Sequence, residues 1–280
     1  MEIKKVLEEG NIILKNNRIK NHLLDSEILM SKVLNNKREF VLLNLDKKMS
    51  LKKIDYFKNL IEERSKGKPI SYIIGTKDFW KYKFSVKSGV LIPRPDTELI
   101  IDQVIKLTKY KSKLKILDIG IGSGCILLSI LKERKDFYGV GIDISKKCTD
   151  LSKFNTLKHG LTNRVKIIKS NIDNFEYGKY DLIISNPPYI SSLDLKYLEK
   201  DIIKFEPRSA LDGGLDGLSE IRKVVKKSSE LIKKNGILVL EIAFNQKRRV
   251  EKILKEKGFY INIVLKDFAN HDRCIISKKI

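Results

Sequence analysis

Cysteine and histidine are scarce in this sequence of 280 residues, with three of each. Cys125, Cys148 and Cys274 are odd in number, far apart and form no C-x-x-C pair, which argues against a disulfide framework and against a structural zinc site. His22, His159 and His271 are equally scattered, so no metal is expected. No apolar run approaches the ~18–20 residues that a membrane-crossing helix needs. The opening residues, Met1-Glu2-Ile3-Lys4-Lys5, carry no signal-peptide stretch. The chain is therefore expected to be soluble, without a membrane partner, and cytoplasmic. Negative charge is also in short supply: 35 acidic residues against 57 basic ones leave +22. Such a charge attracts nucleic acid. Yet only 11 of the basic residues are arginine, and Ile, Asn and Lys abound throughout, as in the residue usage of an AT-rich genome. Charge alone leaves both readings open.

What is present suffices for a core. At 42% apolar and 33% charged residues, wholesale disorder is excluded, and the length suits one large or two modest domains of ~100–200 residues each. Residues 1–75 read as a small helical bundle: Ile3, Val6, Leu7, Ile13 and Leu14 keep one helical stripe, and Ile28, Leu29, Val33 and Leu34 another. Ser50 is placed to cap a third helix carrying Leu51, Ile54, Phe57, Leu60 and Ile61 and stopping near Gly67-Lys68-Pro69. Residues 76–91 read as a linking β-hairpin, with Phe79–Val86 as one strand and Gly89–Ile92 as its partner. Residues 92–280 form a third segment. It opens on the extended Pro93-Arg94-Pro95, after which Asp96 or Thr97 can cap a helix.

From Lys115 onward strands and helices alternate. Strands are predicted at 115–120, 137–143, 165–170, 181–185 and 236–242, giving parallel βαβ units in a doubly wound sheet. The last two, 260–266 and 273–277, are joined by a loop too short for a crossover helix, so they must pair antiparallel. A parallel sheet that ends in such a hairpin resembles the seven-stranded class I methyltransferase fold.

Where the first of these strands ends, Gly120-Ile121-Gly122-Ser123-Gly124 brings glycines to a strand-to-helix turn, where they allow close approach of a ligand and positive φ. Asp143 ends the next strand 23 residues after Gly120, where a carboxylate can accept from both hydroxyls of a ribose; its plainer role is a helix cap. Loop and acid together indicate an adenosine-containing cofactor without separating NAD from S-adenosylmethionine. At the third strand's end, Asn171 is placed to meet an adenine edge and Ile172 its face, or both simply begin a polar loop.

The fourth strand runs straight into Asn186-Pro187-Pro188-Tyr189. Pro187 has φ near −65° and Pro188 forces it extended, so the Asn186 side-chain oxygen and the Pro187 carbonyl stand in a fixed relation as two acceptors. That pair suits an –NH2 group, holding both hydrogens and leaving the nitrogen's third direction open to a methyl group. Amide nitrogen is a poor nucleophile, and acceptors that bind better as charge develops on it favour the transition state. Tyr189 is expected to offer a flat face to a planar substrate group.

With these motifs the chain resembles the release-factor glutamine N5-methyltransferase family over essentially its whole length. Besides Asn186–Tyr189, the resemblance is carried by Ile92-Pro93-Arg94-Pro95-Asp96-Thr97-Glu98, by Phe79-Trp80 and by Phe205-Glu206-Pro207-Arg208-Ser209-Ala210-Leu211-Asp212-Gly213-Gly214. Asp216-Gly217-Leu218 and the helical Asp25-Ser26-Glu27-Ile28-Leu29 add to it. The resemblance implies methyl transfer from S-adenosylmethionine to the glutamine amide of the Gly-Gly-Gln tripeptide of peptide chain release factors. It implies that Gly120–Gly124, Asp143 and Asn186 hold the cofactor, that Asn186, Pro187 and Tyr189 are catalytic, and that Asn186, Pro187, Pro188 and Tyr189 hold the glutamine. The family's Asp and aromatic at the third strand's end are here Asn171 and Ile172. Residues 1–75 are then expected to dock the protein substrate, and the enzyme to act as a monomer without nucleic acid. A glutamine methyltransferase of a ribosomal protein and a DNA or RNA adenine N6-methyltransferase share the amino-group chemistry; a non-catalytic cofactor binder would have no need of Asn-Pro-Pro-Tyr.

Overall fold

The computed structural model describes residues 1–280. They divide into two compact units, one of 1–76 with 200–205, the other of 77–199 with 206–280.

The first unit is helical. It comprises α1 (Ile3–Asn16), α2 (His22–Leu34), α3 (Arg38–Leu43), α4 (Leu51–Ser65) and α5 (Ile70–Ile74). The sequence pattern anticipates α1, α2 and α4 but not the short α3 and α5. Its core contains Ile3, Val6, Leu7, Leu14, Leu29, Val33, Ile54, Phe57, Leu60 and Ile61. Two residues assigned to its apolar stripes, Ile13 and Leu51, are exposed instead, because each lies at the edge of its helix's arc. Ser50 stands at the N-cap of α4 without a side-chain capping bond. Asp25 in the first turn of α2 is buried and pairs with Arg64 of α4 at 2.7 Å. A six-residue helix from much further along the chain, Lys200–Phe205, joins this unit, and its Asp201 lies 3.5 Å from the same arginine.

The hairpin pairs β1 (Thr76–Phe79) with β2 (Tyr82–Ser85). Gly89–Ile92 is not its second strand: the chain reverses earlier, at Trp80, whose φ of 55° is a left-handed turn conformation. Phe79 and Phe84 then meet edge to face and enter the core of the second unit.

The remaining strands are β3 (Lys115–Ile119), β4 (Tyr138–Asp143), β5 (Val165–Lys169), β6 (Tyr180–Ser185), β7 (Ile232–Glu241), β8 (Phe259–Lys266) and β9 (Asp272–Lys279). They form a seven-stranded sheet in the order β5-β4-β3-β6-β7-β9-β8. All neighbours are parallel except β9, which is antiparallel to both β7 and β8. Side chains alternate between the faces: Ile116, Leu182 and Ile184 join one core, Leu117 and Ile183 the other. Helices Glu98–Leu107 (α6) and Cys125–Glu133 (α7) cover the first face, and Ser219–Leu231 (α10) and Lys247–Glu256 (α11) the second, while Lys146–Lys158 (α8) packs on β4 and β5; α9 is Lys200–Phe205. Strand order reverses between β3, which leads to β4 on one side, and β6 on the other. At such a switch point the strands' carboxyl ends leave a crevice for a ligand.

Candidate active site

Four strand ends build the site. After β3, Gly120, Gly122 and Gly124 have φ of 78°, 55° and 84°, values that other residues adopt only with strain. A Cβ on Gly120 would point into open space, so the glycine is there for its backbone and for whatever approaches it. The loop is pinned from below. Gly120 and Ile121 both donate their N–H to Ile142 O at 2.9 Å, and Gly141 is bare because a Cβ there would lie 2.0 Å from the Ile121 side chain.

Asp143 closes β4. Its Oδ2 accepts from Gly122 N at 3.0 Å and its Oδ1 from Ser145 N at 2.9 Å. The Cys148 thiol is a third, weaker donor to this carboxylate; of the carboxylate's about four lone-pair positions, one stays open to a ligand and another is held only by that thiol. Burial raises the Asp143 pKa, opposed by these two backbone N–H groups. The cap of α8 is Ser145, whose hydroxyl oxygen accepts from Cys148 N at 3.4 Å, so Asp143 is free of that duty. Asn171 is less free: its Oδ1 accepts from Asp173 N at 3.1 Å to start the turn Ile172–Asn174. Its amide nitrogen is the end left to a ligand.

After β6 comes Asn186-Pro187-Pro188-Tyr189. Ser185 Oγ ties this strand end to β3 by donating to Ile119 O at 2.7 Å. Asn186 Nδ2 donates to Thr97 Oγ1 at 3.2 Å, which leaves the carbonyl oxygen as the end available to a ligand. The segment 211–217 clamps the loop. Ile190 N donates to Leu211 O and Gly213 N to Ile190 O, and Gln246 Nε2 bridges Tyr189 O and Gly217 O at 2.9 Å each. A Cβ on Gly213 would lie 2.9 Å from both Pro188 O and Tyr189 Cα. Gly213 thus allows two backbones to touch.

Gly120, Ile121, Gly122, Ser123, Asp143, Asn171, Ile172, Asn186, Pro187 and Pro188 line one cavity of about 350 Å³. Gly124 does not line it but occupies the N-cap position of α7. Nor does Tyr189: its ring packs against the second core, and its hydroxyl donates to Glu241 Oε1 at 3.3 Å. The tyrosine braces the loop from behind in this structure.

Several residues escaped sequence reasoning. Thr97, read only as a helix cap, makes no capping bond and faces Asn186. Asn155 is fully buried; its amide accepts from Ser85 N and donates to Ser85 O and Ser123 O, joining the hairpin to the glycine loop. Asp118 lies beneath that loop, 1% exposed, with neither carboxyl oxygen within ordinary hydrogen-bond distance of a partner, although the Leu127 N–H is near enough to oppose the rise in its pKa. Burial, reinforced by Asp143, raises its pKa to about 7. Glu241, 2% exposed, is likewise raised to about 7, chiefly by burial. The only sequence signal for these four was a polar residue beside or inside an apolar run.

The open space over Gly120, the remaining acceptor capacity of Asp143 and the amide nitrogen of Asn171 fit an adenosine-bearing ligand. Comparison with known proteins narrows the choice. Residues 5–75 match the model of the PrmC N-terminal domain and residues 96–261 that of the methyltransferase small domain. A release factor glutamine methyltransferase of Clostridium botulinum is 38% identical over 282 residues, covering all of both chains. One from Fusobacterium nucleatum is 36% identical, covering 95% of this chain and 76% of its own. A bifunctional methyltransferase of Rickettsia conorii is 34% identical over 99% of this chain, which spans only 58% of that longer protein. Among solved structures, a ribosomal protein L11 methylase from Lactobacillus delbrueckii subsp. bulgaricus shares the fold, with a TM-score of 0.52 at 18% identity over 70% of this chain and 84% of its own. With both segments matched in order and the full length shared with the Clostridium enzyme, the chain belongs to the release factor glutamine methyltransferase family.

Proposed function

We propose that the protein methylates the side-chain amide nitrogen of the glutamine in the Gly-Gly-Gln motif of peptide chain release factors, with S-adenosylmethionine as the donor. The cofactor, when bound, supplies a methyl group on a sulfonium centre. Gly120–Ser123 give it close backbone approach, the Asp143 carboxylate takes the ribose hydroxyls, and Asn171 and Ile172 border the adenine. Asn186 and Pro187 hold the glutamine nitrogen through its two hydrogens, and Pro188 stiffens the turn between them and Tyr189.

The observation that carries this reading is the orientation of Asn186. Its amide nitrogen is engaged by Thr97, so it presents oxygen, an acceptor, as an –NH2 substrate requires. As the nitrogen gains positive charge in the transition state, that acceptor and the Pro187 carbonyl bind it more strongly, which lowers the barrier. Holding the nitrogen in place contributes further by removing the need for a chance encounter. No helix is long and apolar enough to cross a membrane; the enzyme is assigned to the cytoplasm, where its substrate is made, and to action as a monomer without nucleic acid. Residues 1–75 are assigned to docking the protein substrate, 76–91, which contain the hairpin, to linking and 92–280 to catalysis.

The test is incubation with methyl-labelled S-adenosylmethionine and either release factor or duplex DNA. Label on the Gly-Gly-Gln segment is the expected result. Label on adenine alone would overturn the reading.

A further inference from the structure

An asparagine side chain has an oxygen end and a nitrogen end of nearly the same shape, and only the oxygen can accept from a substrate N–H. The residue that decides between them lies behind Asn186. Thr97 Oγ1 accepts from Asn186 Nδ2 at 3.2 Å, in a side chain only 3% exposed. With that lone pair taken, the hydroxyl's one proton needs an acceptor. The Glu241 carboxyl, at the end of β7, faces it closely enough for the Thr97 hydroxyl to lower its pKa. Glu241 Oε1 already receives Tyr189 Oη at 3.3 Å, whereas Oε2 is buried without a partner at ordinary hydrogen-bond distance.

We propose that Glu241 is a positioning residue for methyl transfer: acting through Thr97, its carboxylate fixes which end of the Asn186 amide faces the substrate nitrogen. The inference rests on the amide-methylation reading above. A carboxylate only accepts, so it draws the Thr97 proton to itself and leaves Thr97 oxygen able only to accept from Asn186. The Asn186 oxygen is then turned outward. A protonated Glu241 reverses the direction: its O–H donates to Thr97, the Thr97 proton swings to Asn186, and the amide turns its NH2 toward the substrate's own N–H groups. The transition state then loses an acceptor and meets a donor instead. Tyr189 holds the carboxyl from the other side, so the last residue of the Asn-Pro-Pro-Tyr loop serves its first.

Protonation of Glu241 is within reach near neutral pH. Burial raises its pKa to about 7, Asp96 adds to the rise, and Thr97, Arg273 and Tyr189 oppose it. The surrounding groups are named by the packing. Cys274 stands opposite Glu241 on β9, its thiol held neutral by burial. Arg273 is paired with Asp267 at 2.8 Å and lies 3.8 Å from Asp96. His271 lies 4.0 Å from Asp267, and Arg94 lowers Tyr189. The rate should therefore fall on the acid side, as the carboxylate is lost, with a midpoint near 7.

The test is single-turnover methylation of release factor at saturating S-adenosylmethionine across this pH range, with cofactor affinity followed by calorimetry. Thr97→Val keeps the shape and removes the hydroxyl. It should lower kcat roughly tenfold, the size of one hydrogen bond expressed in the barrier, with little change in cofactor affinity. Thr97→Ser should recover most of the loss. Glu241→Gln cannot titrate and should abolish the acid limb. Thr97→Val with a wild-type kcat, or a folded Glu241→Gln with the wild-type acid limb, overturns the proposal. If Glu241→Gln does not fold, Thr97→Val and Thr97→Ser still decide. A wild-type enzyme that labels release factor while Thr97→Val matches it defeats this inference alone; a wild-type enzyme that never labels the glutamine amide defeats the functional reading beneath it.

Discussion

Arg94 and Glu206, 112 residues apart in the chain, meet in an ion pair of 2.5 Å. The Glu206 side chain is 2% exposed and the Arg94 side chain 36%, and Glu206 also accepts from Ile92 N at 3.3 Å. This one carboxylate therefore joins Pro93-Arg94-Pro95 to Phe205-Glu206-Pro207, and Arg94, Pro93 and Pro207 all line the cavity. Removing the arginine leaves a buried charge with one backbone partner. Arg94→Ala should destabilise the fold by about 1–3 kcal/mol, somewhat below the cost of breaking a fully buried pair because water reaches the arginine. Urea denaturation of Arg94→Ala beside Glu206→Gln measures it, and equal stability of wild type and Arg94→Ala would show the pair to be incidental.

Asp143→Ala should weaken S-adenosylmethionine binding by roughly tenfold or more, since hydrogen bonds to a charged acceptor contribute about 1.5–3 kcal/mol each. The same change frees Gly122 N and Ser145 N, so the glycine loop also loses an anchor. Calorimetry that returned the wild-type affinity would remove Asp143 from the ribose site.

Asn186→Ala should leave the fold and most cofactor affinity intact while lowering kcat by roughly 10²–10³, as removal of one preorganised electrostatic contact does. Asn186→Asp keeps an acceptor and should retain part of the rate. Circular dichroism establishes folding, and single-turnover methylation reads the effect. A folded Asn186→Ala enzyme of near-normal kcat would make Asn186 a turn residue and nothing more.

Asp118 predicts a pH dependence of stability in the cofactor-free protein. Its folded pKa is raised from 3.8 to about 7, so the folded state holds a proton that the unfolded state gives up. The stabilising contribution is present in full below 3.8 and disappears as pH rises through 7. Asp118→Asn, which cannot ionise, should flatten the fall in denaturation midpoint across that window and be the more stable protein on the alkaline side. Parallel curves for the two proteins would show that Asp118 is not protonated in the fold.

The parts of this protein that could be read from sequence are those whose signal is local. Short apolar runs alternating with helical segments mark β3 to β9 to within a few residues, apolar stripes mark α1, α2 and α4, and the glycines and prolines announce their own backbone geometry. The turn of the hairpin is hidden because Phe79–Val86 alternates apolar and polar across two residues, which preserves the alternation from β1 into β2. Thr97, Asn155 and Glu241 stayed hidden for another reason. Their partners, Asn186, Ser85 with Ser123, and Tyr189, lie 89, 70 with 32, and 52 residues away, and nothing adjacent to a buried polar residue says what it will meet.

Lys200–Phe205 belongs to the helical unit, although 123 residues of chain, 77 to 199, separate it from the rest of that unit. Its Asp201 faces Arg64, and a Cβ on Gly67 would lie 2.5 Å from Asp201 Oδ1. During synthesis the first 76 residues leave the ribosome long before the piece that completes them. The unit must therefore wait, incomplete by one short helix, while β3 to β6 are made, with Asp25 as the sole carboxylate partner of Arg64 until Asp201 arrives. A cut after residue 76 leaves the bundle without its last helix and the other fragment with a six-residue helix parted from the unit it belongs to.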